Sequence, residues 1–179
     1  ANVFFWFHQS GVMNKLNAED RLATYRHIEK AVRQSQGEAF QVGFGLLRRL
    51  LKPEGVNAVG NEKAAQLAAA VLVGMTRERL TQGVHTDKEE EVAKSVLGDV
   101  GALRRRGMVD EKSYAELLQS CITNVSLRGS VRVRTATLLL QESTNSTAVI
   151  RLLQAEAENA RNEETLRKDF GALLNKSKP

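Results

Sequence analysis

The stretch NEKAAQLAAAVLVGMTRERLTQG, residues 61–83, decides the fold that this sequence predicts. Asn61 is a helix-capping residue, and Glu62 places a negative charge in the first turn. The residues from 64 to 75 are then apolar with one interruption, and Gly83 marks the end of the pattern. A helix that is apolar on nearly every face over three turns needs neighbours on most sides. We therefore expect the rest of the chain to pack around it.

The composition fits one folded domain with a sizeable core. The chain has 179 residues, of which 42% are hydrophobic and 26% are charged. It has only two prolines, which is typical of long helices joined by short turns. The net charge of +5 makes an acidic partner compatible with the sequence without identifying one.

The sequence predicts a cytoplasmic protein. No stretch approaches the roughly 18 apolar residues of a membrane span, and the opening residues ANVFFWFHQSG lack the basic region of a signal peptide. The single cysteine, Cys121, excludes an internal disulfide, which favours a reducing compartment. Because it lies in an apolar pattern with Leu117, Leu118 and Ile122, we expect Cys121 to be a small core residue.

Helix signals continue on both sides of the central stretch. Asn17 caps the first helix, and Thr86 with Glu89 forms a capping box. Gly107 ends the helix that this box begins, and Asp110 caps the next one. That next helix is predicted to carry an apolar stripe as far as Val125 and to end at Gly129.

Two later segments leave alternatives open. Residues 131–135 alternate like a strand, but the three leucines at 138–140 break the alternation, and the helical surroundings favour a helix. The segment that begins at residues 145–147 is either one long helix or two helices joined near Asn162, because its two apolar stripes match imperfectly in phase.

The predicted fold is all-α: a single-domain bundle of about seven helices around a buried central helix at 61–83. Short links favour antiparallel neighbours, and α-solenoid-like stacking is the runner-up, disfavoured because no fixed-period repeat is present. The domain is expected to span residues 17–175, between an aromatic N-terminal arm at 1–16 and a frayed tail at 176–179.

Two sets of residues are candidates for binding. The first is an aromatic cluster in the N-terminal arm, which either docks on the helical core or anchors a partner or a membrane interface. The second is a set of clustered arginines. The candidate residues are Phe4, Phe5, Trp6, Phe7, Arg104, Arg105, Arg106, Arg128, Arg132 and Arg134.

The arginines have two explanations. Basic residues in the last turn of a helix stabilise its carbonyl end by roughly 0.3–1 kcal/mol, which accounts for Arg104 to Arg106 without a ligand. Arg128, Arg132 and Arg134 surround Gly129 instead of closing one helix. If both groups fold close together, six guanidinium groups form one positive surface that suits phosphate or carboxylate groups.

No motif in the sequence predicts catalysis, a metal or a cofactor. The histidines, His8, His27 and His85, do not stand in a metal-ligand spacing. The leading prediction is therefore a non-enzymatic helical domain that binds another protein, as an adaptor, regulator or effector. One alternative is binding to nucleic acid, phosphoinositide or an acidic membrane through the arginines. A second is an enzyme with a dispersed active site.

Overall fold

The computed structural model describes residues 16–50, 62–83, 86–142 and 146–176. Within these ranges the chain forms eight α-helices and no strand, which confirms the predicted all-α fold. The helices are α1 (Ala18–Gln34), α2 (Gly37–Leu50), α3 (Glu62–Thr81), α4 (Asp87–Arg105), α5 (Glu111–Thr123), α6 (Gly129–Glu142), α7 (Ser146–Glu158) and α8 (Glu164–Lys176).

The predicted N-terminal caps are confirmed at three helices. The Asn17 side chain accepts a hydrogen bond from the Asp20 amide at 2.9 Å, at the start of α1. Thr86 and Glu89 form the reciprocal capping box of α4, with bonds of 3.2 and 2.9 Å. Asp110 accepts from the Ser113 amide at 2.8 Å and begins α5. Each side chain satisfies an amide that the helix itself leaves without a partner.

The end of α4 was predicted correctly and the end of α5 was not. Gly107 takes the left-handed conformation, with φ of 72°, directly after α4. Helix α5 ends at Thr123, not at Gly129, because the Asn124 side chain donates to the Leu80 carbonyl and accepts from the Ser126 amide. Val125 therefore lies outside the helix and is 65% exposed, instead of joining the apolar stripe.

The two ambiguous segments are helical. Residues 129–142 form α6, whose buried face carries Val131, Thr135 and Leu139 at four-residue spacing. The last segment is two helices, α7 and α8, with Asn162 in the turn between them. Because α7 and α8 pack against each other, each brings its own apolar stripe to the core, which explains the mismatch in phase.

Packing follows the order of the chain. The extensive contacts join helices that are one or two positions apart in the chain. Thus the C-terminal turns of α1 and α3 meet in the ion pair Arg33–Glu78, and the first turns of α2 and α4 approach at Glu38 and Lys88. Tyr25 contacts Ala68 and Arg33 contacts Glu78, so α1 and α3 run in the same direction.

One apolar core runs through the described helices. Helix α3 contributes Ala68, Ala69, Leu72 and Met75 to this core and packs on α2, α4 and α5. Its opposite face, with Gln66, Ala70 and Arg77, is exposed, so burial accounts for only part of its alanine-rich sequence. Helix α4 packs on four neighbours, namely α2, α3, α5 and α6.

Candidate functional site

The candidate arginines lie at opposite ends of the parallel pair α4 and α6. Arg104 and Arg105 lie at the end of α4, beside Glu142 at the end of α6. Arg128 lies just before α6, beside Asp87 and Glu90 in the first turn of α4. Since α6 has 14 residues, the two groups are about 20 Å apart. The six guanidinium groups therefore do not form one positive surface.

Arg104 and Arg105 converge on Glu142. The Arg104 guanidinium donates to the Glu142 carbonyl at 3.1 Å, and Arg105 pairs with the Glu142 carboxylate at 3.0 Å. The Tyr114 hydroxyl is buried close by, in contact range of Gly101. Burial and the charge of Glu142 raise the pKa of Tyr114 to about 12, so this phenol stays protonated at neutral pH. This cluster joins the ends of α4 and α6.

Arg128 joins the beginnings of the same two helices. Its guanidinium pairs with Asp87 and with Glu90, the latter at 3.1 Å, and Ser130 donates to Glu90 at 2.6 Å. Hydrogen bonds from Lys94, Ser130 and Arg128 lower the pKa of Glu90 to about 2. The charge of Arg128 is thus balanced by two carboxylates of α4. Arg128 is therefore a weaker candidate for binding an external anion.

Arg132 is buried, and only 3% of it is exposed. Its three bonds go to the Ile122 carbonyl at 2.7 Å, the Asn162 side chain at 2.8 Å and the Glu156 carboxylate at 2.6 Å. Its guanidinium also lies 5.7 Å from the centre of the Phe170 ring. Arg132 therefore connects α5, α6, α7 and α8 inside the core and is not part of any exposed binding surface.

Arg106 and Arg134 are exposed, as Arg105 is, but unlike Arg105 they are not held by Glu142. Arg106 follows the end of α4, and Arg134 lies on the outer face of α6. Neither forms an ion pair with a carboxylate in the part of the chain that the structure describes. The aromatic candidates Phe4, Phe5, Trp6 and Phe7 lie outside the described residues, so their role stays a prediction.

Burial raises the pKa of two further groups, a thiol and a phenol. Burial raises the pKa of the Cys121 thiol to about 12, in agreement with its predicted place in the core. Burial and Glu29 raise the pKa of Tyr25. Among the described residues no group of His, Cys, Asp and Glu has the arrangement of a metal site. No helix in the described ranges has both the length and the apolarity needed to cross a membrane.

A groove between α3 and α5 was not predicted from the sequence. It encloses about 470 Å³. Its α3 wall has the exposed residues Gln66, Ala70 and Arg77 with half-buried Gly74 and buried Val73, and its other wall runs from Gly107 to Glu116. The spacing 66, 70, 74 and 77 is visible in the sequence, but the apolar residues around it made this face look buried. We call this feature the α3–α5 groove.

The fold and these surfaces define an all-α helical bundle within the described residues. The chain matches no protein-family model, no curated protein and no solved structure. The contacts and surfaces of the described residues are consequently the basis for inferring its function.

Proposed function

We propose that the chain is a non-enzymatic protein-interaction domain that binds a helical segment of a partner protein in the α3–α5 groove. The observation that carries this proposal is the exposed, small-residue face of α3 opposite the start of α5. The other surfaces that the sequence indicated contribute less, because most of the candidate arginines are paired inside the molecule.

The floor of the groove allows a close approach. Ala70 and Gly74 lie one helical turn apart on α3, and a Cβ atom built on Gly74 would meet no atom within 4 Å. Helices pack with their axes about 8–10 Å apart, at the short end of that range where side chains are small. A half-buried Met108 lies at the edge of the groove and can adapt its shape to an apolar partner. The groove therefore suits the apolar face of a partner helix.

The walls of the groove carry opposite charges. Arg77 lies on the α3 wall, is exposed, and pairs with no carboxylate of the described chain. Glu116 lies on the α5 wall, is exposed, and has Lys112 at 4.0 Å. Charge complementarity fixes the orientation of a docked segment. The partner helix should therefore carry an acidic residue on the side that faces α3 and a basic residue on the side that faces α5.

Two exposed alanines provide a matched test. Ala70 lies in the groove and Ala31 lies on α1, outside it, and both are exposed helical positions. A partner recovered by affinity purification should be narrowed to one segment and synthesised as a peptide. We expect Ala70→Arg to weaken binding of this peptide by at least about tenfold, or about 1.4 kcal/mol, since its long side chain occupies the space that the partner helix needs. We expect Ala31→Arg to bind like the wild type.

The proposal fails on either of two results. It fails if Ala70→Arg binds the peptide as tightly as the wild type. It also fails if the peptide is not helical when bound, as measured by circular dichroism of the complex. Equal loss of binding in both variants would show that added positive charge, and not the groove, is responsible.

A further inference from the structure

A second cavity lies between two hairpin connections, apart from the α3–α5 groove. It encloses about 180 Å³ where the α1–α2 connection, the end of α3 and the first half of α4 meet. None of the residues that line it also lines the groove. This cavity is therefore a separate site from the groove of the proposed function.

The floor of this cavity is apolar. Leu80, Val92, Ala93 and Val96 line it, and all four are among the buried residues of the core. An apolar cavity of about 150 Å³ is large enough to hold benzene. The present cavity can therefore take a branched or aromatic group of about six carbon atoms.

The rim of the cavity holds a cation without a carboxylate partner. Arg79 is half-buried, and its guanidinium carbon lies 4.9 Å from the centre of the Phe40 ring. Its Nη1 atom donates to the Gln82 side-chain oxygen at 3.2 Å. No carboxylate of the described residues pairs with Arg79. A guanidinium has five N–H donors in a fixed fork that matches a carboxylate.

The one acidic residue at the rim is bound elsewhere. The Glu89 carboxylate accepts hydrogen bonds from the Thr86 amide at 2.9 Å and from the Thr86 hydroxyl at 3.1 Å. It thus caps α4, where the helix dipole favours negative charge. Arg79 is the residue at the rim that can donate hydrogen bonds to an anionic ligand, whereas the Glu89 carboxylate is held at the start of α4.

We propose that this cavity is a binding site for a small apolar group that carries a carboxylate. The apolar part would contact Leu80, Val92 and Val96, and the carboxylate would pair with Arg79. Such a group occurs in a free branched-chain acid and at the C-terminus of a peptide that ends in leucine.

The test uses a pair of nearly isosteric ligands and amide chemical shifts measured by NMR. We expect 4-methylpentanoate to bind the wild-type chain with a Kd on the order of 1 mM. We expect 4-methylpentanamide, which is neutral, to bind at least about tenfold more weakly. The shifted amides should be those around Leu80 and Val92 to Val96. An absence of shifts, or equal binding of the two ligands, would overturn the proposal.

Three variants distinguish the role of the Arg79 charge from the role of the cavity volume. Arg79→Gln should lose the preference for the acid, whereas Arg106→Gln, exposed after the end of α4 and outside both the cavity and the groove, should keep it. Ala93→Leu should fill the cavity and abolish binding of both ligands with no change in charge. Unaltered binding in Arg79→Gln or Ala93→Leu would contradict the site. Thermal melts establish that each variant is folded. If a variant does not fold, the comparison of 4-methylpentanoate with 4-methylpentanamide on the wild-type chain tests the proposal.

The peptide arm of the test identifies the source of the carboxylate. A five-residue peptide that ends in leucine is compared with the same peptide carrying a C-terminal amide. Tighter binding of the free-acid peptide than of 4-methylpentanoate assigns the site to a chain terminus. Tighter binding of 4-methylpentanoate assigns it to a small acid. Binding of the amidated peptide as tightly as the free-acid form would overturn the role of Arg79.

Discussion

Arg132 shows how much a single buried charge connects in this molecule. It donates to the Ile122 carbonyl, to Asn162 and to Glu156, and it lies over the Phe170 ring, so one side chain joins four helices and the α7–α8 turn. Burial lowers its pKa, and the nearby Glu156 carboxylate opposes that shift. A charge in the core is tolerated only when its partners are arranged around it.

Replacing Arg132 by methionine should destabilise the fold by about 3–5 kcal/mol, because it leaves the Glu156 carboxylate buried without its partner. Urea denaturation measures this change. The control is Arg134→Met, two residues further on and exposed, which should stay within about 0.5 kcal/mol of the wild type. The double variant Arg132→Met/Glu156→Leu should recover part of the loss. Equal stability of the two single variants would show that the network contributes nothing.

Glu90 predicts a pH dependence of stability. Its pKa falls from the ordinary value of 4.5 to about 2 in the folded chain, so the unfolded chain binds the proton more readily. The stabilisation is therefore complete above about pH 4.5 and is lost as the pH falls towards 2. We expect Glu90→Gln to be less stable than the wild type at pH 6, with a gap that closes between pH 4.5 and 2.

The neighbouring carboxylate supplies the control for this prediction. Glu91 has a side chain that is 74% exposed, so Glu91→Gln should stay within about 0.5 kcal/mol of the wild type at pH 6. Chemical denaturation at a series of pH values gives both curves. A constant gap between Glu90→Gln and the wild type from pH 6 to pH 2 would refute the linkage.

At the scale of elements, the contrast between two faces of α3 explains its sequence. Ala68, Ala69 and Leu72 belong to the core, whereas Ala70 and Arg77 face solvent beside the groove. Alanine is the strongest helix former, so it suits both faces for different reasons. On the buried face it allows neighbouring helices to approach closely.

Enlarging an alanine should have opposite consequences on the two faces of α3. Ala69 is fully buried, so Ala69→Leu should overpack the core and destabilise it by about 1–3 kcal/mol. Ala70→Leu, one residue further on, should change stability by no more than about 0.5 kcal/mol because Ala70 is exposed. Thermal or urea denaturation distinguishes them. If the two variants have the same stability, the assignment of faces to α3 is wrong.

The helix ends that could be predicted are those fixed by interactions between residues close together in the sequence. The caps at Asn17, Thr86 and Asp110 use residues three positions apart, so they were readable from the sequence. The end of α5 was not readable, because Asn124 bonds to Leu80, 44 positions away. The division of the last segment into two helices depends on the packing of α7 against α8, which its sequence alone does not show.

At the scale of the whole molecule, the parallel packing of α4 and α6 decides which residues can act together. It brings Arg128 to Asp87 and Glu90 at one end and Arg104 and Arg105 to Glu142 at the other. The sequence identified these arginines but not their partners, since ion pairs between residues about 40 positions apart leave no local pattern. The α3–α5 groove likewise joins residues from 66–77 and from 107–116, which local periodicity could not bring together.

The central claim is that the α3–α5 groove holds a helix of a partner protein, and site-specific photo-crosslinking tests it most directly. A photoreactive phenylalanine is placed at Ala70, inside the groove, or at Ala31, outside it, and the chain is irradiated in a lysate of the organism that encodes it. The account predicts that position 70 alone captures one partner, through a segment that is amphipathic at helical spacing. Capture of the same partner at both positions, or of a segment without that pattern, would contradict the claim.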